Sequence, residues 1–259
     1  MPQNFEIRVI SLKNQLDRRE KINNLFNNKN IRWSFFDAIS GKDIQPFLHM
    51  YDRKKRLQTP GYDLRDNEIA CFLSHRAVWQ ECLKENKSFL ILEDDVSINT
   101  SLPHFIDSIN SIIEAVTENN LFIRLGNTFK KKSIKVHSIN KNLNITRYYK
   151  DPYGGFGYLI SPLIAKNLVD NSNIFWTPVD DFLWRGWDHD SCLLDIWPSL
   201  ISTSDIDNPS SIGDRKKPKI SLFKKIKREF FRTIENKQKN TYQKTIISRI
   251  KKNEFNITR

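Results

Sequence analysis

Long apolar runs are missing from this sequence. No stretch of about 18 or more apolar residues occurs, which excludes a helix suited to spanning a bilayer. The opening MPQNFEI lacks the basic segment and apolar stretch of a secretory signal. Cysteine is scarce, with Cys71, Cys82 and Cys192 alone. An odd count without paired spacing points to reduced, packed thiols in a cytoplasm, and away from a disulfide framework or a zinc site. Residues 1–213 hold no internal repeat and no low-complexity tract. A length of 259 residues then leaves one large α/β domain, or at most two small ones.

What is present is a chain with 39% apolar and 12% aromatic residues, enough to exclude general disorder. Its charge is unevenly spread. Of 42 Lys and Arg and 30 Asp and Glu, residues 214–259 carry 16 basic and 4 acidic side chains. The body, 1–213, therefore holds 26 of each and is formally neutral. The whole excess of +12 sits in the tail.

Periodicity predicts alternating strands and helices. Residues 7–12 read as a first strand, Asp17 to Glu20 open an amphipathic helix, and 31–36 form a second strand running into Asp37, Ala38 and a turn at Gly41. That strand–helix–strand unit favours parallel pairing. Residues 42–67 are polar and irregular, the pattern of a mobile loop. A largely buried helix is expected over about 68–85, capped by Asp66 or Asn67. Residues 89–92, Phe-Leu-Ile-Leu, have the continuous apolar pattern of a central strand covered on both faces. A helix over roughly 103–116, a strand at 121–126, a basic hairpin within 127–150, a glycine-lined strand at 154–161 and a helix from 162 to 170 follow.

The apolar run 89–92 ends in Glu93-Asp94-Asp95. In open α/β sheets ligands bind at the carboxyl ends of strands, and three adjacent carboxylates there repel unless a cation neutralises them. A hard divalent ion, Mn²⁺ or Mg²⁺, prefers oxygen ligands and bridges carboxylates to phosphates. Glu93, Asp94 and Asp95 are the expected ligands; a solvated acidic turn is the bland alternative.

The sequence resembles glycosyltransferase family 25, the bacterial lipooligosaccharide galactosyltransferases and their relatives. The matching pieces, in family order, are Val9-Ile10-Ser11-Leu12 with Asp17-Arg18-Arg19, Asp37-Ala38 then Gly41, and Glu68-Ile69-Ala70-Cys71 leading to Ser74-His75. Ile91 to Asp95, Arg124-Leu125-Gly126, Gly155 to Ser161 and Pro178-Val179-Asp180-Asp181 complete the set, which spans about 1–213. Each piece alone is weak and the ordered set is specific. The resemblance implies a GT-A-like single domain, a Rossmann-like, mixed and mostly parallel sheet with flanking helices. It also implies transfer of a hexose, galactose above glucose, from a UDP-sugar to a lipooligosaccharide or other glycan, with inversion at the anomeric carbon.

Roles follow beside that resemblance. Asp95, with Glu93 or Asp94, is expected to hold the ion that stabilises the departing diphosphate. Backbone groups of Ser11 and Leu12 end the first strand, where uracil or ribose would lie. Arg19 reads either as a fork donor to phosphate or as a solvated helix charge. Asp37, beside Ala38, reads as a hydrogen-bond acceptor for ribose or base, or as a turn cap. His75 is a donor-site residue by the family match or a packed helical histidine. Arg124 either neutralises phosphate or pairs with a carboxylate. Inverting transfer needs a base, and Asp180 is the position expected from the family match, with Asp181 beside it and Asp188 in reserve. Helix N-capping by the aspartate pair is the competing reading. Many GT-A enzymes add a late histidine to the metal, and His189 is the one available after His137. Trp176, Trp184 and Trp187, with Tyr153, form an aromatic region suited to the C–H faces of an acceptor sugar. Ordinary packing is the alternative there, and the expectation for Trp33, Trp79 and Trp197.

In the tail, Ile220, Phe223, Ile226, Phe230, Phe231 and Ile234 recur at helical spacing among Lys224, Lys225, Lys227, Arg228 and Arg232. Such a basic amphipathic helix suits an anionic bilayer interface. Tyr242, Ile246, Ile247 and Ile250 are expected to repeat the device. The division expected is a catalytic domain, 1–213, and a membrane-associating tail, 214–259, peripheral on the inner face of a bacterial cytoplasmic membrane. A nucleic-acid-binding arm is the alternative from another class, opposed by the neutral body and the lack of a nucleic-acid module. Nucleotidyl transfer is disfavoured because Ile10 to Asn14 contains no glycine for a nucleotide loop.

Overall fold

The computed structural model describes residues 3–27, 31–59, 62–152, 154, 156–203 and 222–258. The first unit is as expected: β1 (Glu6–Ser11), α1 (Leu16–Phe26) and β2 (Trp33–Asp37), with β1 and β2 parallel. The segment expected as an irregular loop instead contains a 3₁₀ turn (Gln45–Met50) and a short helix, α2 (Arg53–Gln58). Asp52 caps α2 by accepting from the Lys55 amide at 2.8 Å, and the Tyr51 hydroxyl donates to Asp63 at 2.6 Å.

Helix α3 (Asp66–Glu85) begins two residues earlier than expected. Neither Asp66 nor Asn67 caps it. The cap position is Arg65, whose amide donates to the Glu68 carboxylate at 2.9 Å. There follow β3 (Phe89–Glu93), β4 (Val96–Ile98), α4 (Leu102–Ala115), β5 (Phe122–Arg124) and the hairpin of β6 (Ser133–Ser138) and β7 (Asn144–Tyr148). Next come β8 (Gly157–Ile160), α5 (Pro162–Asp170), α6 (Val179–Trp184), α7 (Gly186–His189), β9 (Leu194–Trp197), β10 (Ile201–Thr203) and α8 (Leu222–Lys251).

The main sheet has the order β2-β1-β3-β8-β5-β9-β7-β6. The pairings leave β7 and β8 running against the other six strands, so the sheet is mixed and mostly parallel. Alternation along β3 shows why its apolar run is continuous. Leu90 and Leu92 face a core with Ile22, Phe26, Phe105 and Ile109, while Phe89 and Ile91 face a second core with Phe72, Trp79 and Leu168. Helices therefore cover both faces, giving three layers.

The C-terminal half of α8 belongs to the first core. Ile246 and Ile250 are buried there with Ile257 beyond the helix, and the Thr117 amide donates to the Ile257 carbonyl at 2.9 Å. This corrects the expectation that Tyr242, Ile246, Ile247 and Ile250 repeat a membrane-facing device: these side chains pack on the body. The N-terminal half differs, with Ile226, Phe230 and Ile234 exposed. Ile220 lies outside the described residues, as does most of the segment before α8. No helix among the described residues is long and apolar enough to cross a membrane.

Candidate active site

Parallel pairing delivers the ends of β1, β2, β3, β5 and β9 to one edge of the sheet, the edge where open α/β sheets bind ligands. Register places Ser11 opposite Asp37 and Ile10 opposite Glu93. One connected polar network results. Ser11 Oγ donates to Asp94 at 2.6 Å, and Arg18 donates to the other oxygen of Asp94 at 2.9 Å. Arg19 donates to the Ser11 carbonyl at 2.9 Å and to Asp37 at 2.6 Å, with its guanidinium 4.6 Å from the Phe35 ring centre. The Ala38 amide closes the group by donating to the Ser11 carbonyl at 2.9 Å. Arg19, then Lys13, hold the Asp37 carboxyl below its usual range. Ser11, Arg19, Asp37, Ala38 and Asp94 are thus brought together as expected. Leu12 follows directly, partly exposed.

Glu93 turns toward α3, with Oε1 3.6 Å from His75 Nε2. His75 is buried, and its Nδ1 lies 2.7 Å from the Tyr158 hydroxyl, which also accepts from Trp79 Nε1 at 2.8 Å. Asp95 stands close enough to Cys71 to add, with Glu93 and Asp180, to the negative field around its thiol.

Two expected members of the site lie elsewhere. His189 is fully buried between Phe122 and Phe182, its Nε2 3.1 Å from the Phe182 carbonyl. Burial lowers its pKa to about 4. Among the described residues neither His189 nor the three carboxylates Glu93, Asp94 and Asp95 come together as a ligand group, because Glu93 turns toward Cys71 and His75. Arg124 is also buried. It donates to Asp195 at 2.7 Å, to Asp151 at 3.2 Å and to the Gly154 carbonyl at 2.8 Å, which is the carboxylate-pairing alternative.

Asp180 and Asp181 fill the first turn of α6, and neither side chain caps it; the cap position is Pro178. The capping alternative therefore fails. Both side chains reach solvent by area, yet surrounding protein strips much of their hydration, as at the bottom of a cleft. Burial first, then repulsion from Glu93 and Asp181, pushes Asp180 up to about 7. Burial also raises Asp181, against the pull of Arg56. Asp188 is held by Arg185, Nε to carboxylate 2.5 Å.

The aromatic region exists, but its ring faces are covered. Arg185 lies 4.6 Å from the Trp176 ring and 4.8 Å from that of Trp187, Lys55 is 4.9 Å from Trp176, and Arg147 is 3.8 Å from Trp184. Trp184 is a core residue with 3% exposure, which corrects its reading as an acceptor platform. Cations already occupy the sites that sugar faces would use. Tyr153 lies outside the described residues.

Sequence reasoning missed Arg18, Asp151, Asp195, Arg56 and Arg185. Arg18 had a signal, since it adjoins Arg19 in the matched Asp17-Arg18-Arg19. The others are brought in by long-range packing and carry no local one.

The chain is an α/β protein with acidic side chains at the carboxyl edge of a mostly parallel sheet. Within it, the family model for glycosyltransferase family 25 (LPS biosynthesis protein) matches residues 4–183. The chain belongs to glycosyltransferase family 25. It is 32% identical over 171 residues to the lipooligosaccharide biosynthesis protein lic2B of Haemophilus influenzae, a match covering 62% of this chain and 60% of that protein. It is 28% identical over 170 residues to the lacto-N-neotetraose biosynthesis glycosyltransferase LgtE of Neisseria gonorrhoeae, covering 62% and 59%. Human procollagen galactosyltransferase 2 is 29% identical over 194 residues, covering 69% of this chain and 29% of that protein. The chain thus spans less than two thirds of the length of these relatives.

Proposed function

We propose that the protein is a GT-A-type, inverting glycosyltransferase that moves galactose from UDP-galactose to a lipooligosaccharide acceptor with the help of Mn²⁺ or Mg²⁺. The observation that carries this reading is Asp180, raised toward neutrality by burial and then by Glu93 and Asp181 near the carboxyl edge of the sheet. A base works best when its pKa lies near the operating pH, and an accessible carboxylate of this kind suits removal of the proton from an acceptor hydroxyl. The printed function of lic2B favours a lipooligosaccharide-type acceptor, that of LgtE an oligosaccharide product, and that of the procollagen enzyme galactose.

The donor half falls to the β1–β2 end. There Asp37 has a carboxylate fixed in its ionised form for hydrogen bonding to ribose or base, and Arg19 is held beside it in fork geometry. Ser11 and Arg18 orient Asp94, which with Asp95 offers hard oxygen donors to a divalent ion. The surplus of carboxylates in this cleft fits such a cation, because Asp180 is raised partly by its neighbours' negative charge. When bound, the ion supplies electrostatic stabilisation to the departing diphosphate. The protein's own contributions are to hold the nucleoside, keep Asp180 poised as proton acceptor, and exclude other nucleophiles. The exposed Ile226, Phe230 and Ile234, among basic residues on α8, support attachment to an anionic membrane on its cytoplasmic face.

The test is thermal unfolding with UDP and Mn²⁺. Wild type is expected to gain melting temperature, and Asp95→Ala to lose that gain. An equal gain in Asp95→Ala would sink the assignment. Product analysis with UDP-galactose then identifies the transfer.

A further inference from the structure

Cys71 and His75 stand four residues apart on α3, which puts them on one face, and Glu93 meets them from the end of β3. A ligand atom from each of the three lies within 4.8 Å of the others, the one such group among the described residues. His75 Nε2 is buried without a hydrogen-bond partner, pointing at this space from 3.6 Å away from Glu93 Oε1. A buried ring nitrogen left unbonded has lost its hydrogen bond to water without replacement, so its persistence calls for a ligand.

We propose that Cys71, His75 and Glu93 form a binding site for a thiophilic divalent cation, with zinc the best fit, separate from the oxygen site at Asp94 and Asp95. Three features support it. Thiolate, imidazole and carboxylate together match zinc, whereas Mn²⁺ and Mg²⁺ favour oxygen alone. Zn–N and Zn–O bonds of about 2.0–2.2 Å in a tetrahedron put the two ligand atoms roughly 3.4 Å apart. The observed 3.6 Å is near that. The second shell is also built. The Tyr158 oxygen accepts from Trp79 and has room to accept from His75 Nδ1, which would leave the Nε2 lone pair facing the ion. Burial pushes the Cys71 thiol well above its usual range, and Glu93, Asp180, Asp95 and Glu68 add to that, so the metal has to displace the thiol proton on binding. Three protein ligands leave a fourth position open toward the cleft.

The site is tested without nucleotide or sugar, so its failure is distinct from failure of the transferase reading. Co²⁺ alone, titrated into the full chain, is expected to give a near-ultraviolet sulfur-to-metal charge-transfer band at one equivalent. Zn²⁺ alone is expected to displace it and to slow alkylation of Cys71 by iodoacetamide. Cys71→Ser is expected to abolish the band and weaken zinc by more than about a hundredfold, and Tyr158→Phe to weaken it about 10–100-fold. Asp95→Ala is expected to lower zinc affinity far less than Cys71→Ser does. If wild-type Cys71 is alkylated equally fast with and without Zn²⁺, or if Cys71→Ser binds Co²⁺ with the same spectrum, the proposal is overturned.

Discussion

Asp180 owes its high proton affinity first to burial and then to the negative charge of Glu93 and Asp181. Two outcomes follow. In Asp180→Asn, kcat is expected to fall by about 10²–10⁴ with donor KM little changed, as steady-state kinetics would show. In wild type, activity should rise with pH through about 7 as the carboxylate ionises. The stability effect has the opposite sign to that of an ordinary paired aspartate. The folded pKa lies above the unfolded value, so the folded chain keeps a proton that the unfolded chain has lost. Stability therefore declines as pH rises from about 4 to about 7. Melting curves at pH 5 and pH 8 check this: Asp180→Asn should gain more on wild type at pH 8 than at pH 5. The sequence revealed Asp180 through its place after Pro178, but not its proton affinity, which arises from burial in the fold and from Glu93, 87 positions earlier. Likewise Arg124 was legible as a strand-end cation, while its partners Asp151 and Asp195 are 27 and 71 residues away.

Among elements, those with strong local pattern were legible. The β1–α1–β2 unit, the apolar β3 and the long α3 are all where periodicity put them. β8 was visible as a strand, but its direction was not, because strand direction is set by the sheet and not by alternation. Helix α2 was missed since its six residues, RKKRLQ, look like solvated loop, and what fixes it is the Asp52 cap and packing against α8. Helix α8 was legible as a helix, yet its pattern could not say which apolar residues face protein. Ile250, buried in the core, should cost about 2–5 kcal/mol of stability on change to alanine, measured by urea unfolding. Phe230→Ser, at an exposed position, should alter stability by no more than about 0.5 kcal/mol but weaken binding to anionic liposomes. Unchanged liposome binding would argue against the membrane role.

Across the whole molecule, charge and chemistry are kept apart. The body is neutral and carries the acidic cleft, while the tail segment holds the net positive charge. Liposome binding should therefore weaken as salt rises, since the screening length shrinks from about 10 Å at 0.1 M to about 3 Å at 1 M, whereas UDP-sugar hydrolysis should respond less. Sedimentation with vesicles across that range measures it. Between the two parts runs α8, continuous from Leu222 to Lys251, with Glu235 joined to Arg185 at 2.5 Å midway. One end is anchored and the other projects, so the angular phase of the projecting end is inherited from the anchor. Inserting one residue near position 238 should swing Ile226, Phe230 and Ile234 by about 100° around the axis, and inserting seven should restore them to within roughly 20°.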